Sequence, residues 1–334
     1  MAKTAGTQVA IGLGIESYAA PGVAVAETVF IPWLDFSMQG VSEKSHFTSA
    51  RGVRNTSSNS MIKRKYSQGS FGVVPNVKTF PYLLSLAFGG VASSGISDSA
   101  YTHTFTINNT NATPRTATLT IEEGAIQTVQ YLNCVCNSLN FEVSDDYAKA
   151  TIELIGQFPG TDTISESYSQ ETEFAYHQYT IKFGTSLSNA AGNSATPLKA
   201  FAFNLNNNVQ LDEAFLSGSN EITDGNLVMG RLEITGSYSL HFENTTELAK
   251  YNANTKNAAI VTFEGALIGS TSKETIQFKF GRLVLTKPPV EYNIDGLLVL
   301  NQEFTVEYEA TDLEMQAIVI NNVNSASTRV YDKA

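Results

Sequence analysis

Residues 231–238 read RLEITGSY, in which apolar Leu232 and Ile234 alternate with polar neighbours up to a glycine. Such alternation places the apolar side chains on one face of an extended segment and is typical of a half-buried β-strand. Residues 117–122, ATLTIE, repeat the pattern. Further alternating runs occur at 138–143, 150–155, 278–285 and 303–308. Asp-Gly dipeptides, which are favoured in tight hairpins, occur at 224–225 and 295–296. The sequence therefore predicts a mostly β fold.

Helical periodicity occurs in two places, one of them shortly after residues 231–238. Residues 245–252 predict a helix with Asn244 or Thr245 as N-cap and Glu247 in the first turn. Residues 79–88 predict a second helix, ended by a Gly-Gly pair. Both predicted helices come directly after a predicted strand.

This parallel extends to an internal repeat. KYSQGSF at residues 65–71 precedes one helix and EITGSY at 233–238 precedes the other, so a Gly-Ser-aromatic motif stands before both. Further matching segments are 36–41 with 204–209, 119–122 with 261–264, 134–141 with 278–285 and 150–155 with 304–308. We expect two tandem modules with flanking segments: an N-terminal arm (1–30), a first module (31–165), a linker (166–197), a second module (198–320) and a C-terminal tail (321–334).

Composition narrows the function. The 334 residues contain 21 Lys and Arg against 32 Asp and Glu, a net charge of -11, which argues against a protein that binds DNA with a basic face. Only 16% of residues are charged while 42% are hydrophobic, so Ser, Thr, Asn and Gln carry the polar surface. We expect much of that surface to contact partners. No export signal and no apolar run long enough to span a membrane is recognised, so we expect folding in a cytosol.

Catalytic motifs are missing from the sequence. His46, His103, His177 and His241 are scattered without metal-ligand spacing, and we expect His103 to be a surface or partly buried hydrogen-bonding residue. Cys134-Val135-Cys136 places both thiols on one face of a predicted strand, as two small buried apolar residues. We predict no enzymatic activity, no catalytic, metal or cofactor-binding residue, and no cofactor.

Charge is distributed unequally between the two repeats. The predicted long loop 44–65 holds six cations and no carboxylate, whereas residues 212–230 at the matching place hold four carboxylates and no Lys or Arg. The cations are Lys44, Arg51, Arg54, Lys63, Arg64 and Lys65, and the carboxylates are Asp212, Glu213, Glu221 and Asp224. Opposite charge predicts that one repeat meets the other, in the same or a neighbouring chain. The Ser- and Asn-rich stretch 55–60 predicts that the basic loop is mobile until assembly orders it.

Several of these segments, in this order, resemble the tail tube protein (major tail protein) of long-tailed bacteriophages. The resemblance rests on GIESY at 14–18, FIPW at 30–33, GSF at 69–71, FGG at 88–90 and GSY at 236–238, and it covers most of the chain. It implies that each module is a β-sandwich or barrel with a short flanking helix, and that modules join into a ring with a continuous inner β-barrel. Six modules per ring would need three of these chains, with six chains as the alternative if only one half builds the ring. The basic loop would reach the adjacent ring.

The implied function is that of a structural virion protein whose stacked rings form a conduit for genome DNA. We expect a net negative lumen, because a basic lining would hold the polyanion. Implied partners are further copies of the chain, a tape measure protein, and tail terminator and distal tail proteins. Double-stranded DNA would pass non-specifically, and no small-molecule ligand or membrane is expected. The protein would assemble in the host cytoplasm and reside in the virion tail. The alternative is a β-rich surface adhesin or carbohydrate-binding module.

Overall fold

A computed structural model describes most of the chain. The described residues are 6–48, 52, 54, 57–96, 99–109, 114–124, 126–143, 146–169, 172–211, 220–222, 227–242, 245–287, 290–291, 298–324 and 330–332. The strands are β1 (Val9–Ile15), β2 (Val29–Phe30), β3 (Asp35–Phe36), β4 (Gln39–Thr48), β5 (Ser57–Val73), β6 (Gly89–Gly95), β7 (Tyr101–Ile107), β8 (Thr116–Glu123), β9 (Thr128–Val143), β10 (Ala148–Gly156), β11 (Gly160–Thr161), β12 (Tyr179–Gly184), β13 (Ala200–Asn206), β14 (Glu233–His241), β15 (Asn257–Ile268), β16 (Ser272–Leu285), β17 (Val290–Glu291), β18 (Val299–Val306) and β19 (Met315–Asn321). The helices are α1 (Phe80–Phe88), α2 (Leu187–Gly192) and α3 (Thr246–Asn252). Strands make up 55% of the described residues and helical segments 10%, which confirms the mostly β prediction.

Both predicted helices are present, as α1 and α3. Helix α1 ends where Gly89 adopts a φ of 82°, which a side-chain-bearing residue rarely does. Helix α2 was not predicted and lies in the segment expected to be a linker. Its N-cap is Ser186, whose hydroxyl accepts a hydrogen bond from the Asn189 backbone N–H at 3.2 Å. Its six residues are too few to produce a recognisable helical period.

The strands form one antiparallel sheet that contains two ladders of the same order. The first ladder is β4–β5–β10–β9–β8–β1 and the second is β13–β14–β18–β16–β15–β12. In each ladder a helix follows the second strand, α1 after β5 and α3 after β14. The two halves of the chain thus build the same succession of pairings.

The ladders also share their irregularities. Between β8 and β9, Ala117 faces Cys134 while Leu119 faces Tyr131, so β9 carries one extra residue. The β15–β16 pair has the same bulge, since Asn257 faces Leu283 while Ala259 faces Phe280. The shared bulge gives Cys134 the position in its ladder that Leu283 has in the other.

The ladders join each other and pack on one core. The end of β9 pairs with β13, where Phe141 faces Phe203 and the two rings stack with centroids 5.3 Å apart. Phe80 of α1 in turn contacts Phe278 of β16, with centroids 6.4 Å apart. A single apolar cluster therefore spans both halves of the chain. The first ladder takes β1 from the predicted arm (1–30), the second takes β12 from the predicted linker (166–197), and both ladders share one core.

The segment expected to be an N-terminal arm contributes to that core. Strand β1 pairs with β8 along its whole length and buries Ile11, Leu13 and Ile15. Directly after it, Glu16 is buried, and its carboxylate accepts hydrogen bonds from the Gly22 N–H at 2.6 Å, the Thr118 hydroxyl at 3.0 Å and the Asn133 N–H at 3.0 Å. Three donors compensate the burial of this charge and fasten the following segment.

Candidate assembly surfaces

The basic segment is a β-hairpin and not the loop that its polar composition suggests. Strands β4 and β5 pair from Gln39 opposite Gln68 as far as Thr48 opposite Ser57. The hairpin needs little apolar burial because its backbone groups satisfy each other across the two strands. Phe47 and Met61 project from it with about half of their surface exposed, 50% and 53% respectively.

The six predicted cations lie at different levels of this hairpin. Lys44, Arg54 and Lys63 are exposed, Lys65 is half-buried, and Arg51 lies outside the described residues. Arg64 is buried at the base, where it donates to the Glu43 carboxylate at 2.9 Å. This bond holds the pKa of the Glu43 carboxyl below its ordinary value.

The base of the hairpin contacts the acidic segment of the same chain. The Lys65 ammonium is 3.0 Å from the Glu221 carboxylate, and the Ile222 N–H donates to the Lys65 carbonyl at 3.2 Å. Arg64 donates a second hydrogen bond, at 2.7 Å, to the Leu211 carbonyl. The structure thus brings together two of the predicted cations and one of the predicted carboxylates. The other three, Asp212, Glu213 and Asp224, lie outside the described residues.

A second apolar cluster supports this contact. Val135 lies between Cys134 and Cys136 on β9, so its side chain points to the face of the sheet opposite the main core. The residues packed there are Tyr66, Val135, Ile155, Val209, Ile222 and Leu227. Residues from the connection between β13 and β14 thus cover the base of the hairpin. The equivalent connection between β4 and β5 is the projecting hairpin itself.

The remainder of that face is polar and acidic. From β5 through β10, β9, β13 and β14 to β18, the side chains opposite the core are chiefly Ser, Thr, Asn and Gln, and they line a depression of about 420 Å³ beside Asn140 and Asn204. Its charged members are the five carboxylates Asp35, Glu142, Glu153, Glu233 and Glu303 and the two lysines Lys149 and Lys287. Both lysines are paired, Lys149 with Asp35 at 2.8 Å and Lys287 with Glu303 at 3.3 Å. Apart from the Arg64–Glu43 pair at the hairpin base, the charged side chains on this face therefore carry net negative charge.

His103 is wholly buried, whereas the sequence predicts a surface or partly buried position. Its ring nitrogens are 2.9 Å from the Ser93 hydroxyl and 2.9 Å from the Asn321 amide oxygen, so the expected hydrogen bonding is confirmed. Burial lowers the pKa of the imidazole. The residue lies on β7 where that strand pairs with β19, which closes the core beside the first helix.

The end of the chain docks at the same place. Tyr331 is fully buried, its ring contacts those of Tyr82 and His103 with centroids 4.9 Å apart, and its carbonyl accepts a hydrogen bond from Ser85 at 2.6 Å. The adjacent Asp332 pairs with buried Arg115 at 2.6 Å. Sequence reasoning missed this anchor because one aromatic residue in a polar tail has no periodicity.

The two cysteines are buried and unpaired, as predicted for small apolar residues. Burial raises the pKa of both thiols. Among the described residues, no three His, Cys, Asp or Glu side chains gather closely enough to hold a metal ion. None of the helices in the described part of the chain is long and apolar enough to cross a membrane.

Comparison with known protein families shows what the chain is similar to. A family model described as phage tail tube protein matches residues 6–307. No curated protein matches the chain. The matched range includes both ladders and both connections that carry opposite charge.

Proposed function

The chain belongs to the phage tail tube protein family, and we propose that its copies polymerise into stacked rings that form a conduit for genome DNA during ejection. Membership makes it a structural protein of the virion tail that assembles with itself and with other tail proteins. The observation that carries the proposal is the family match over nearly the whole chain. The match argues against the alternative of a β-rich surface adhesin or carbohydrate-binding module.

Each chain supplies two tail tube modules to a ring. The support for this is the repeated order of the two ladders and the bulge they share, because a bulge at the same step is hard to obtain from two unrelated β segments. Three chains then complete a ring of approximately sixfold symmetry. Six chains remain the alternative, if the second half only decorates the ring.

The acidic polar face lines the bore. Double-stranded DNA carries one negative charge per ~1.7 Å of its axis, so a basic wall would bind it while releasing counterions and would slow its passage. Net negative charge on the face opposite the core supports a lining from which DNA is repelled. No small molecule, cofactor or catalytic group takes part in this function.

The basic hairpin connects adjacent rings. The hairpin carries exposed Lys44, Arg54 and Lys63 together with the half-exposed side chains of Phe47 and Met61, a combination that suits an acidic and partly apolar surface. Arg51 is assigned the same role, with Asp212, Glu213 and Asp224 as candidate acidic counterparts. At the ends of the tube, the rings meet the tail terminator and distal tail proteins, and the tape measure protein occupies the bore. Assembly takes place in the host cytoplasm.

Negative-stain microscopy of the purified protein tests this function. We expect rings or filaments with a central channel, and the mass of one ring should equal three chains. Discrete globules at every concentration would contradict self-assembly. A ring with the mass of six chains would keep the function and remove the tandem-module interpretation.

A further inference from the structure

We propose that neighbouring chains join edge to edge in the register of the junction inside each chain: β17 of one copy pairs antiparallel with β3 and β4 of the next. Glu291 then faces Ser37 and Val290 faces Met38. This inference rests on the proposed ring and names its contact surfaces, with a second copy of this chain as the partner.

The internal junction provides the template. The last residues of β9 pair with β13, so that Glu142 faces Ala202 and Phe141 faces Phe203. The outer edge of β9 is occupied by the second half of the same chain. Any repeat of this contact between chains must use the strands that correspond to β9 and β13.

Strand β17 corresponds to the end of β9. In the first ladder Leu154 faces Cys136 and Ala150 faces Phe141, so β9 gains one residue relative to β10 over this interval. In the second ladder Phe304 faces Leu285 and Leu300 faces Val290, with the same gain. Val290 therefore takes the place of Phe141, and Glu291 that of Glu142. Among the described residues β17 pairs with β18 alone, which leaves its other edge open.

Strands β3 and β4 correspond to β13. The Gly-Ser-aromatic motif fixes the alignment, because Phe36 faces the aromatic residue of the first motif, Phe71, and Phe201 faces that of the second, Tyr238. Met38 and Ser37 accordingly take the places of Phe203 and Ala202. Glycine is required in both motifs, since a Cβ on Gly69 would meet the Met38 backbone and a Cβ on Gly236 the Ala202 carbonyl. In the described part of the chain, β3 and β4 pair only with β5.

An arginine pair supports the same correspondence. Arg64 and Arg231 each lie five residues before the motif glycine. Arg64 is buried and donates to the carbonyl of Leu211 in the second half of the chain. Arg231 is exposed, so it remains available to make the equivalent contact with the hairpin of the next chain.

Cysteine cross-linking tests the register. Ser37→Cys with Glu291→Cys places a thiol pair across the proposed junction, and Ala202→Cys with Glu142→Cys places the same pair across the internal one as a matched control. Cα atoms directly opposite each other in an antiparallel pair lie about 4.5–5.5 Å apart, which a disulfide can span. Gln39→Cys with Glu291→Cys is the off-register control.

Pro288 and Pro289 precede β17 in the sequence and lie outside the described residues. Because proline carries no N–H donor, we expect fewer backbone hydrogen bonds between chains than within one.

Oxidation of assembled rings should link the Ser37→Cys/Glu291→Cys variant into dimers and closed trimers, while the internal control stays monomeric with a new intrachain disulfide. Equal linking of the off-register pair would overturn the register. The register would also be overturned if rings form normally and the internal control is linked, but no disulfide forms between positions 37 and 291. Absence of rings in every variant and in the unmodified chain would instead overturn the proposed function.

A second variant gives an independent measurement. Arg231→Ala should raise the concentration for half-maximal assembly about tenfold, as expected for the loss of a hydrogen bond from a charged group, and should leave the melting temperature of the unassembled chain unchanged. Unchanged assembly would overturn the role of Arg231. A large loss of melting temperature in the free chain would overturn it as well, because the side chain would then act within its own subunit.

Discussion

Helices α1 and α3 occupy the same slot in two matching ladders, yet their surroundings are opposite. All nine residues of α1 are buried, whereas no residue of α3 is. The difference comes from what covers each helix: Phe80 and Tyr82 of α1 contact Phe278 of β16 and Tyr331, whereas α3 packs on the core only through partly buried residues such as Tyr251. In a single chain the second half therefore covers α1, and no described element covers α3 to the same extent. In the proposed ring, the next copy of the chain supplies that cover.

The largest expected effect is the difference in unfolding free energy lost on truncating a side chain in α1 and in α3. Phe80→Ala removes a fully buried ring that contacts Phe141 and Phe278, and should lower the free energy of unfolding by about 3–5 kcal/mol. The matched change in α3, Leu248→Ala, should cost about 1 kcal/mol or less in the free chain because Leu248 is only half-buried. Denaturant unfolding of both variants measures this. Equal losses would mean that α3 is as well covered as α1.

Removal of the C-terminal anchor tests what makes α1 a core helix. Tyr331→Ala leaves a cavity beside Tyr82 and His103 and should destabilise the chain by about 2–4 kcal/mol. Hydrogen exchange of the α1 amides should accelerate in the same variant. Loss of stability without faster exchange in α1 would show that the tail acts elsewhere, and Tyr308→Ala, at a residue 66% exposed, is the surface control.

Arg64 and Arg231, which occupy corresponding positions in the two halves, should differ in their contribution to stability by a smaller amount. Arg64→Ala removes two hydrogen bonds, to Glu43 and to Leu211, and should cost about 1.5–3 kcal/mol of unfolding free energy. Arg231→Ala should change the same quantity by no more than about 0.5 kcal/mol in the free chain. Thermal unfolding of unassembled protein is the measurement. A larger effect at Arg231 would break the correspondence between the two arginines.

The junction of β7 with β19 should respond to pH through His103. Burial places the pKa of this imidazole below its unfolded value of about 6.5, so the unfolded chain binds the proton more readily. Stability from this site is present above pH 6.5 and is lost as pH falls through the folded pKa, with a slope of at most about 1.4 kcal/mol per pH unit. His103→Gln should flatten the profile below pH 6.5. An unchanged slope would assign the pH dependence to other groups.

The smallest effect concerns the contact between the hairpin of β4 and β5 and the acidic segment that connects β13 with β14. Lys65→Met should cost about 0.2–1 kcal/mol, since its partner Glu221 is 46% exposed and solvent weakens the ion pair. A double-mutant cycle with Glu221→Gln measures the coupling free energy between Lys65 and Glu221. A coupling well above 1 kcal/mol would show that charge, and not the second apolar cluster, holds the acidic segment against the hairpin.

Local patterns were enough to predict several elements of this fold, but not α2, β1 or the hairpin of β4 and β5. Alternation identified the strands at 117–122 and 231–236, and helical periodicity identified α1 and α3, because each signal lies within a few neighbouring residues. The order of the repeat was visible for the same reason. Its register was not: sequence matching pairs Leu119 with Val261, whereas the shared bulge pairs it with Ala259. A shift of two residues leaves every side chain on the same face, so hydrophobic pattern alone does not detect it. The matches of 36–41 with 204–209 and of 134–141 with 278–285 are off by three and five residues, because Phe36 corresponds to Phe201 and Cys134 to Leu283.

Features that depend on distant contacts could not be predicted. The common core arises where Phe141 meets Phe203, and the burial of Tyr331 depends on a site built by α1 and β7. Charge pattern did point to the region where Lys65 meets Glu221, while the burial of Arg64 had no local signal. The assembly roles of the six cations and four carboxylates stay predictions, with the ring experiments as their test.

The burial of Cys134 and Cys136 has a practical consequence for labelling. A maleimide or an oxidant reacts with the thiolate, and thiols with raised pKa values and no access to solvent supply almost none at neutral pH. A cysteine introduced on the surface will therefore react far faster than either native one. Probes for fluorescence or spin-label measurements can be attached at single chosen positions in the otherwise unaltered protein.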